Sequence, residues 1–294
     1  MLAVETINLC KNYGKSRGIV DVNLQIQQGE IFGFIGPNGA GKSTTIRTLL
    51  NFIFPTSGQG TVMGYDIIKD SKKIKELIGY LPSEINYYDD MRIKDLLEYS
   101  GKYYHRNCSK KISELSERFE LDLSKKIREL SLGNKKKVGI LQTLIHEPKL
   151  LILDEPTSGL DPLMQKTFFD VLKEENKNGT TIFFSSHILS EVQEVCNRVA
   201  IIKEGVILRT EEIAALRASQ LKKITLKLTN TNINEINIPD IRNIKKLEDT
   251  FYFLYRGDMN SLINNLHGIS VENLLIEEPS LEEIFMHYYK KEEN

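Results

Sequence analysis

The chain has 294 residues, enough for one large domain or two ordinary ones with ample core. Its 39 Lys and Arg stand against 40 Asp and Glu, a formal net charge of -1 that argues against a protein whose main business is coating nucleic acid. Three cysteines, Cys10, Cys108 and Cys196, are far apart, follow no metal spacing and point to a reducing compartment.

In chain order, residues 2–9 and 19–26 alternate apolar and polar, as half-buried strands do, with a polar loop over 11–18 between them. The opening nine residues carry neither a basic n-region nor an apolar h-region, so no signal peptide is expected. Residues 30–35 form a short apolar run of strand type. They lead into Gly36-Pro37-Asn38-Gly39-Ala40-Gly41-Lys42-Ser43-Thr44, which fits G-x-x-x-x-G-K-[ST]. Apolar residues at helical spacing follow over 44–50.

Strand, glycine loop and helix together make a phosphate-binding site. Glycines at 36, 39 and 41 permit backbone angles and close approaches that a β-carbon would forbid, so consecutive N–H groups can ring phosphates. The helix adds the positive end of its dipole to the same anion. Lys42 is expected to reach the β- and γ-phosphates, and the Ser43 hydroxyl to ligate Mg²⁺. A nucleoside triphosphate is the expected ligand.

A turn at 55–58, a helix around 71–77 and a short strand at 78–81 come next. Residues 92–146 read as mostly helical, and Pro148 stops that run. Strand 150–153, a helix from Pro162 capped by Asp161, and strand 180–184 follow. Alternating strands and helices imply a parallel sheet covered by helices, with a helical subregion at about 85–146 inserted. The longest apolar runs, such as 150–153, are core strands and far too short to cross a bilayer. A soluble chain is expected, with any membrane role exercised through a partner. Past about residue 215, the alternating run 223–228 and the strong strand 250–255 suggest a small α+β domain over 218–294. Ser280 with Glu283 fits a capping box opening a last amphipathic helix at 281–289.

The strand at 150–153 ends in Asp154 and Glu155. A buried parallel strand aims its C-terminal residues at the ligand crevice. Asp154 is expected to hold Mg²⁺ through its water shell, leaving Glu155 to orient and polarise the attacking water.

Leu130-Ser131-Leu132-Gly133-Asn134-Lys135-Lys136-Lys137, upstream of the Asp-Glu strand, resembles the signature motif of ATP-binding cassette (ABC) ATPases, usually Leu-Ser-Gly-Gly-Gln. Ser158-Gly159-Leu160-Asp161 resembles that family's D-loop, His187 its switch histidine, and Tyr13 the aromatic that stacks on adenine. Over residues 2–215 the chain therefore looks like the nucleotide-binding subunit of an ABC transporter, of the exporter branch linked to drug or peptide resistance.

The resemblance implies a P-loop NTPase core, with a parallel sheet, an antiparallel β subdomain and a helical signature subdomain. It assigns 2–217 to the ATPase domain and 218–294 to a small C-terminal accessory domain, since residues 279–285 resemble tails that follow some exporter-type cassettes. It implies ATP hydrolysis with Mg²⁺ at Ser43 and Asp154, His187 on the γ-phosphate beside Glu155, and Ser131 and Gly133 starting a helix aimed at nucleotide held by a partner. Two cassettes, identical or not, would pair head to tail on the cytoplasmic face of the membrane beneath separate permease subunits, with no nucleic acid involved. The alternative is a soluble ABC ATPase acting on ribosomes or DNA, or a nucleotide switch without transport.

The chain departs from the family pattern at two places. Leu132 and Asn134 replace Gly and Gln of the signature. Ser83 stands where the family has Gln or Glu after Gly79-Tyr80-Leu81-Pro82, so either Glu84 takes over or Mg²⁺ relies on Ser43, Asp154 and water. Lys135, Lys136 and Lys137 read as a solvated helix face, and His105, His146, His267 and His287 as structural.

Overall fold

The computed structural model describes residues 1–14, 16–218, 222–229, 239–267 and 269–277. Strands β1 (Leu2–Tyr13) and β2 (Ser16–Gln27) are followed by β3 (Ile31–Ile35), α1 (Lys42–Leu49), β4 (Ser57–Val62), β5 (Tyr65–Asp66), α2 (Ser71–Leu77) and β6 (Ile78–Leu81). Helices α3 (Ile93–Tyr103), α4 (Ser109–Arg118) and α5 (Leu132–Leu144) then precede β7 (Leu150–Asp154), α6 (Pro162–Lys177), β8 (Thr181–Ser186) and α7 (Leu189–Val195). After β9 (Arg198–Lys203), β10 (Val206–Glu212) and α8 (Ile213–Ala218) come β11 (Lys222–Leu228), β12 (Ile241–Leu247), β13 (Thr250–Tyr255), α9 (Met259–Asn265) and β14 (Val271–Glu277).

The central sheet has six strands in the order β10-β9-β3-β8-β7-β6. All neighbours pair parallel except β10, which runs against β9. Every residue of β3, β7 and β8 is buried, as expected of strands covered on both faces, which read as continuous apolar runs rather than alternating ones. Phe32 and Phe34 of β3 pack on Phe183 of β8, the Phe34 pair at 5.4 Å between ring centroids. A four-stranded antiparallel sheet, β2-β1-β4-β5, lends Val4, Leu9, Leu24 and Ile26 to the same core as Phe34, Ile46 and Leu49.

The polar loop expected over 11–18 is mostly strand. β1 runs to Tyr13 and β2 starts at Ser16, with a register shift at Lys11 that lets the hairpin continue beyond the core. Polarity there reflects exposure of a projecting ribbon, which an alternation rule cannot separate from a loop. The other strands and the helical run fall close to their expected positions. α6 opens as expected, with Asp161 accepting from the Met164 N–H at 3.0 Å and Pro162 in its first turn.

The chain divides into two units, Met1–Ile213 and Ala214–Asn294. In the second, the antiparallel sheet β12-β13-β11-β14 buries Ile224, Leu226, Phe251, Phe253 and Tyr255 against Leu262 and Leu266 around α9. The helix expected at 281–289, with its Ser280–Glu283 capping box, lies outside the described residues. No helix among the described residues is long and apolar enough to cross a membrane.

Candidate nucleotide site

Parallel pairing sets Ile35 beside Ser186 and Asp154 beside Ser185. The C-terminal ends of β3, β8 and β7 are thus neighbours, and the loops leaving them form one crevice, where open α/β sheets place their ligands. The 36–44 loop, His187, and the Asp154–Glu155 pair all leave from this edge.

The glycine loop is shaped by close backbone contacts. A β-carbon on Gly36 would lie 2.3 Å from the Ile202 carbonyl oxygen, and Gly41, the N-cap of α1, has φ +110°. Neither position accepts an ordinary L-residue without moving backbone. Pro37, Asn38 and Gly39 are exposed, Ala40 is buried, and Ser43 and Thr44 are half-buried at the start of α1. The Ala40 carbonyl accepts from the Gly205 N–H at 2.9 Å, which ties the loop to the β9–β10 turn.

Lys42 is 5 % exposed. Its Nζ donates to the Gly36 carbonyl at 2.6 Å and lies 3.2 Å from Glu155 Oε1. Glu155 Oε2 is 2.7 Å from His187 Nδ1. Lysine, glutamate and histidine therefore form one continuous chain across the crevice, although they are far apart in sequence. Glu155 holds a left-handed backbone, φ +50°, and its N–H donates to the Ser185 carbonyl at 3.1 Å. That is a costly conformation for a non-glycine residue, of the kind concentrated at functional sites.

Asp154 is fully buried. Burial raises its carboxyl above the usual range, hydrogen bonds from the Ser43 and Ser185 hydroxyls pull the other way, and the neighbouring Glu155 charge adds to the rise. One of its oxygens, Oδ2, has no hydrogen-bond donor. A buried carboxylate oxygen with a free lone pair beside a serine hydroxyl suits a hard cation that takes oxygen ligands and completes its shell with phosphate and water.

The other expected site residues are placed as follows. Tyr13 is exposed at the end of β1, with the Lys11 ammonium 5.2 Å from its ring centroid. Ser131 caps α5, its hydroxyl accepting from the Asn134 N–H at 3.3 Å. Gly133 abuts the D-loop, since a β-carbon there would meet the Gly159 carbonyl oxygen at 2.6 Å. Among the described residues, Ser131 and Gly133 make their closest contacts with α5 itself and the D-loop. Ser83 turns its carbonyl to Lys136, and Glu84 is exposed.

The lysine run needs correction. Lys136 and Lys137 are 4 % and 8 % exposed, and the Lys136 ammonium donates to the Pro82 and Ser83 carbonyls at 3.1 and 3.2 Å. From Lys136 onward the helix is covered nearly all round, so the Lys136 ammonium turns inward to loop carbonyls. Burial pulls the Lys136 ammonium down to about 8, against 10.5 in a free lysine, while Asp154 and Glu155 partly restore it. Between these values the unfolded chain holds more protons than the folded one, so this group makes stability rise with pH there and contributes no pH dependence below about 8. In chemical denaturation, the stability of wild type relative to Lys136→Met is expected to grow by about 3 kcal/mol between pH 8 and 10.5. A difference that stays flat with pH would show that Lys136 is not desolvated in the folded chain.

Sequence reasoning also passed over Thr157, Ser186 and Glu191. The Thr157 hydroxyl donates to Glu191 Oε1 and the Ser186 hydroxyl to Glu191 Oε2, both at 2.6 Å. A glutamate in the first turn of a short helix gives no sequence signal of burial.

A family model described as ABC transporter matches residues 19–158. The chain is 35 % identical over 297 residues to the bacitracin transport ATP-binding protein BcrA of Bacillus licheniformis, covering 96 % of both. It is 33 % identical over 297 residues to the linearmycin resistance ATP-binding protein LnrL of Bacillus subtilis, covering 95 % of this chain and 96 % of that one. Among solved structures, the ATP binding subunit of an ABC transporter superposes with a TM-score of 0.69 and 28 % identity, over 73 % of this chain and 92 % of its own. With similarity running nearly end to end and the glycine loop and Asp154–Glu155 at neighbouring strand ends, the chain belongs to the ABC transporter ATP-binding proteins and is an ABC ATPase.

Proposed function

We propose that this chain binds Mg·ATP at the crevice and hydrolyses it to drive a membrane permease. The observation that carries the reading is the Lys42–Glu155–His187 chain at the ends of three parallel strands, with the phosphate loop on the same edge. Gly36, Pro37, Asn38, Gly39, Ala40, Gly41, Lys42, Ser43 and Thr44 would cradle the phosphates, and Tyr13 would stack on the base. Ser43 and Asp154 would hold Mg²⁺, whose bound charge would offset that of the β- and γ-phosphates.

Glu155 aligns a water and accepts its proton as the water oxygen bonds to the γ-phosphorus. The bond from that phosphorus to the β–γ bridging oxygen breaks, and ADP leaves. His187 holds Glu155 in place and contacts the γ-phosphate. By the resemblance of residues 130–137 to the family signature, we assign Ser131 and Gly133 to nucleotide held by a second cassette, in a head-to-tail pair that ATP closes and hydrolysis opens. This assigns 2–217 to the ATPase domain and 218–294 to an accessory domain.

The permease would dock on the surface around Tyr80, Tyr88, Tyr99, Tyr103 and Phe52. That surface is lined by two adjoining cavities of about 420 and 360 Å³, and four of those five aromatics are exposed. Concentrated exposed apolar area of this kind marks interaction sites. The names of BcrA, for bacitracin transport, and LnrL, for linearmycin resistance, favour a resistance-type transporter, and we assign it outward transport with the cassettes on the cytoplasmic face of the membrane. Affinity isolation of the tagged chain from solubilised native membranes should bring down a stoichiometric polytopic membrane protein. Recovery of ribosomal or DNA-repair partners with no membrane protein would overturn the transport reading.

A further inference from the structure

Glu155 and His187 sit on separate loops, one after β7 and one after β8. Their 2.7 Å contact requires those loops to keep a fixed spacing. That contact alone is a weak spacer, because the His187 side chain is 46 % exposed and little packs on it from the solvent side.

Glu191 spans the two loops from beneath. It is 5 % exposed, in the first turn of α7. One of its oxygens takes the hydroxyl of Thr157, two residues beyond Glu155, and the other takes the hydroxyl of Ser186, which precedes His187. Both distances, 2.6 Å, lie in the range of hydroxyl-to-carboxylate bonds. The Ser186 oxygen also accepts the Ile188 N–H at 2.9 Å, so His187 is bracketed by bonds to a single hydroxyl. Thr157 and Ser186 are themselves buried, at 3 % and 0 % exposure, so water does not compete for these partners.

We propose that Glu191 is a positioning residue for ATP hydrolysis, clamping the loop of Glu155 to the loop of His187 through Thr157 and Ser186. The inference rests on reading Glu155 and His187 as the hydrolytic pair. Glutamine removes one of the two acceptors: the hydroxyl that faces its N–H₂ has to turn and accept, which leaves that buried O–H without its acceptor. Valine at 157 keeps the shape of threonine and removes the bond, whereas serine keeps the bond.

Steady-state hydrolysis by the full chain, with equilibrium ATP titration of the same samples, tests the clamp. Glu191→Gln and Thr157→Val are each expected to lower kcat about 30-fold, the scale of a sub-ångström misplacement, while KM and ATP affinity stay within about twofold. Thr157→Ser should stay within about threefold of wild type. If thermal melting shows that Glu191→Gln does not fold, the Thr157 pair decides alone.

Wild-type kcat in Thr157→Val, an equal loss in Thr157→Ser, or a fall in affinity matching the fall in kcat would each overturn the clamp. Undiminished turnover by Glu155→Gln would instead remove the reading beneath it. Loss in Glu155→Gln with none in Thr157→Val removes the clamp alone.

Discussion

Glu155→Gln is expected to bind ATP as tightly as wild type and to hydrolyse it about a thousandfold more slowly. Glutamine matches glutamate in shape and can keep both observed contacts. Its amide oxygen can face the Lys42 ammonium, now at 3.2 Å from Oε1, and its N–H₂ can donate to an unprotonated His187 Nδ1, now at 2.7 Å from Oε2. The left-handed backbone at φ +50° is no harder for one residue than for the other. What is lost is a charged acceptor for the proton of the attacking water, and such groups contribute roughly 10²- to 10⁴-fold. With binding intact and turnover stopped, the paired cassettes should accumulate closed, visible as an ATP-dependent dimer by size-exclusion chromatography with light scattering. Hydrolysis at the wild-type rate would remove Glu155 as the group that activates water.

Lys42→Ala is expected to weaken ATP binding about 100-fold, close to 2.7 kcal/mol. The ammonium is 5 % exposed and held by the Gly36 carbonyl at 2.6 Å. It is a fixed donor in a desolvated place, where charge-assisted bonds are worth about 1.5–3 kcal/mol each. Alanine leaves that carbonyl and Glu155 Oε1 without their cation, so part of the loss is disorder of the loop itself. Arginine is not expected to rescue, since a planar guanidinium does not fit a pocket shaped for one compact ammonium. Calorimetric titration reads the effect directly, and unchanged affinity would exclude Lys42 from the nucleotide site.

The local features of this protein were legible because each depends on a few neighbouring residues. The glycine loop, the apolar strand ending in Asp154 and Glu155, and the Asp161–Pro162 helix start each read from adjacent positions, and the structure puts all three where the patterns placed them. Resemblance supplied what spacing could not, the roles of His187, Ser131 and Tyr13. The features that escaped depend on burial, which sequence does not display for polar residues. Lys136 and Glu191 look like surface residues on helices, yet Lys136 is sunk against the carbonyls of Pro82 and Ser83 and Glu191 against the hydroxyls of Thr157 and Ser186. The β1–β2 ribbon escaped for the opposite reason. Its polar tip pairs as strand without any core to mark it.

One stripe of α5 is keyed to its surroundings at every turn. Gly133 admits the Gly159 carbonyl, Lys136 holds the carbonyls of Pro82 and Ser83, and Gly139 leaves room for Leu81 and Ile85. One turn further, the Thr143 carbonyl lies against Gly79. Each successive residue of a helix is turned by about 100°, so a slip of a single position would swing all four teeth out of their slots together. The helix is thus indexed like a splined shaft, with the Ser131 cap at one end and the edge strand β6 engaged along its length. The signature cannot be re-aimed by bending its own loop, and changes direction only when the whole shaft turns.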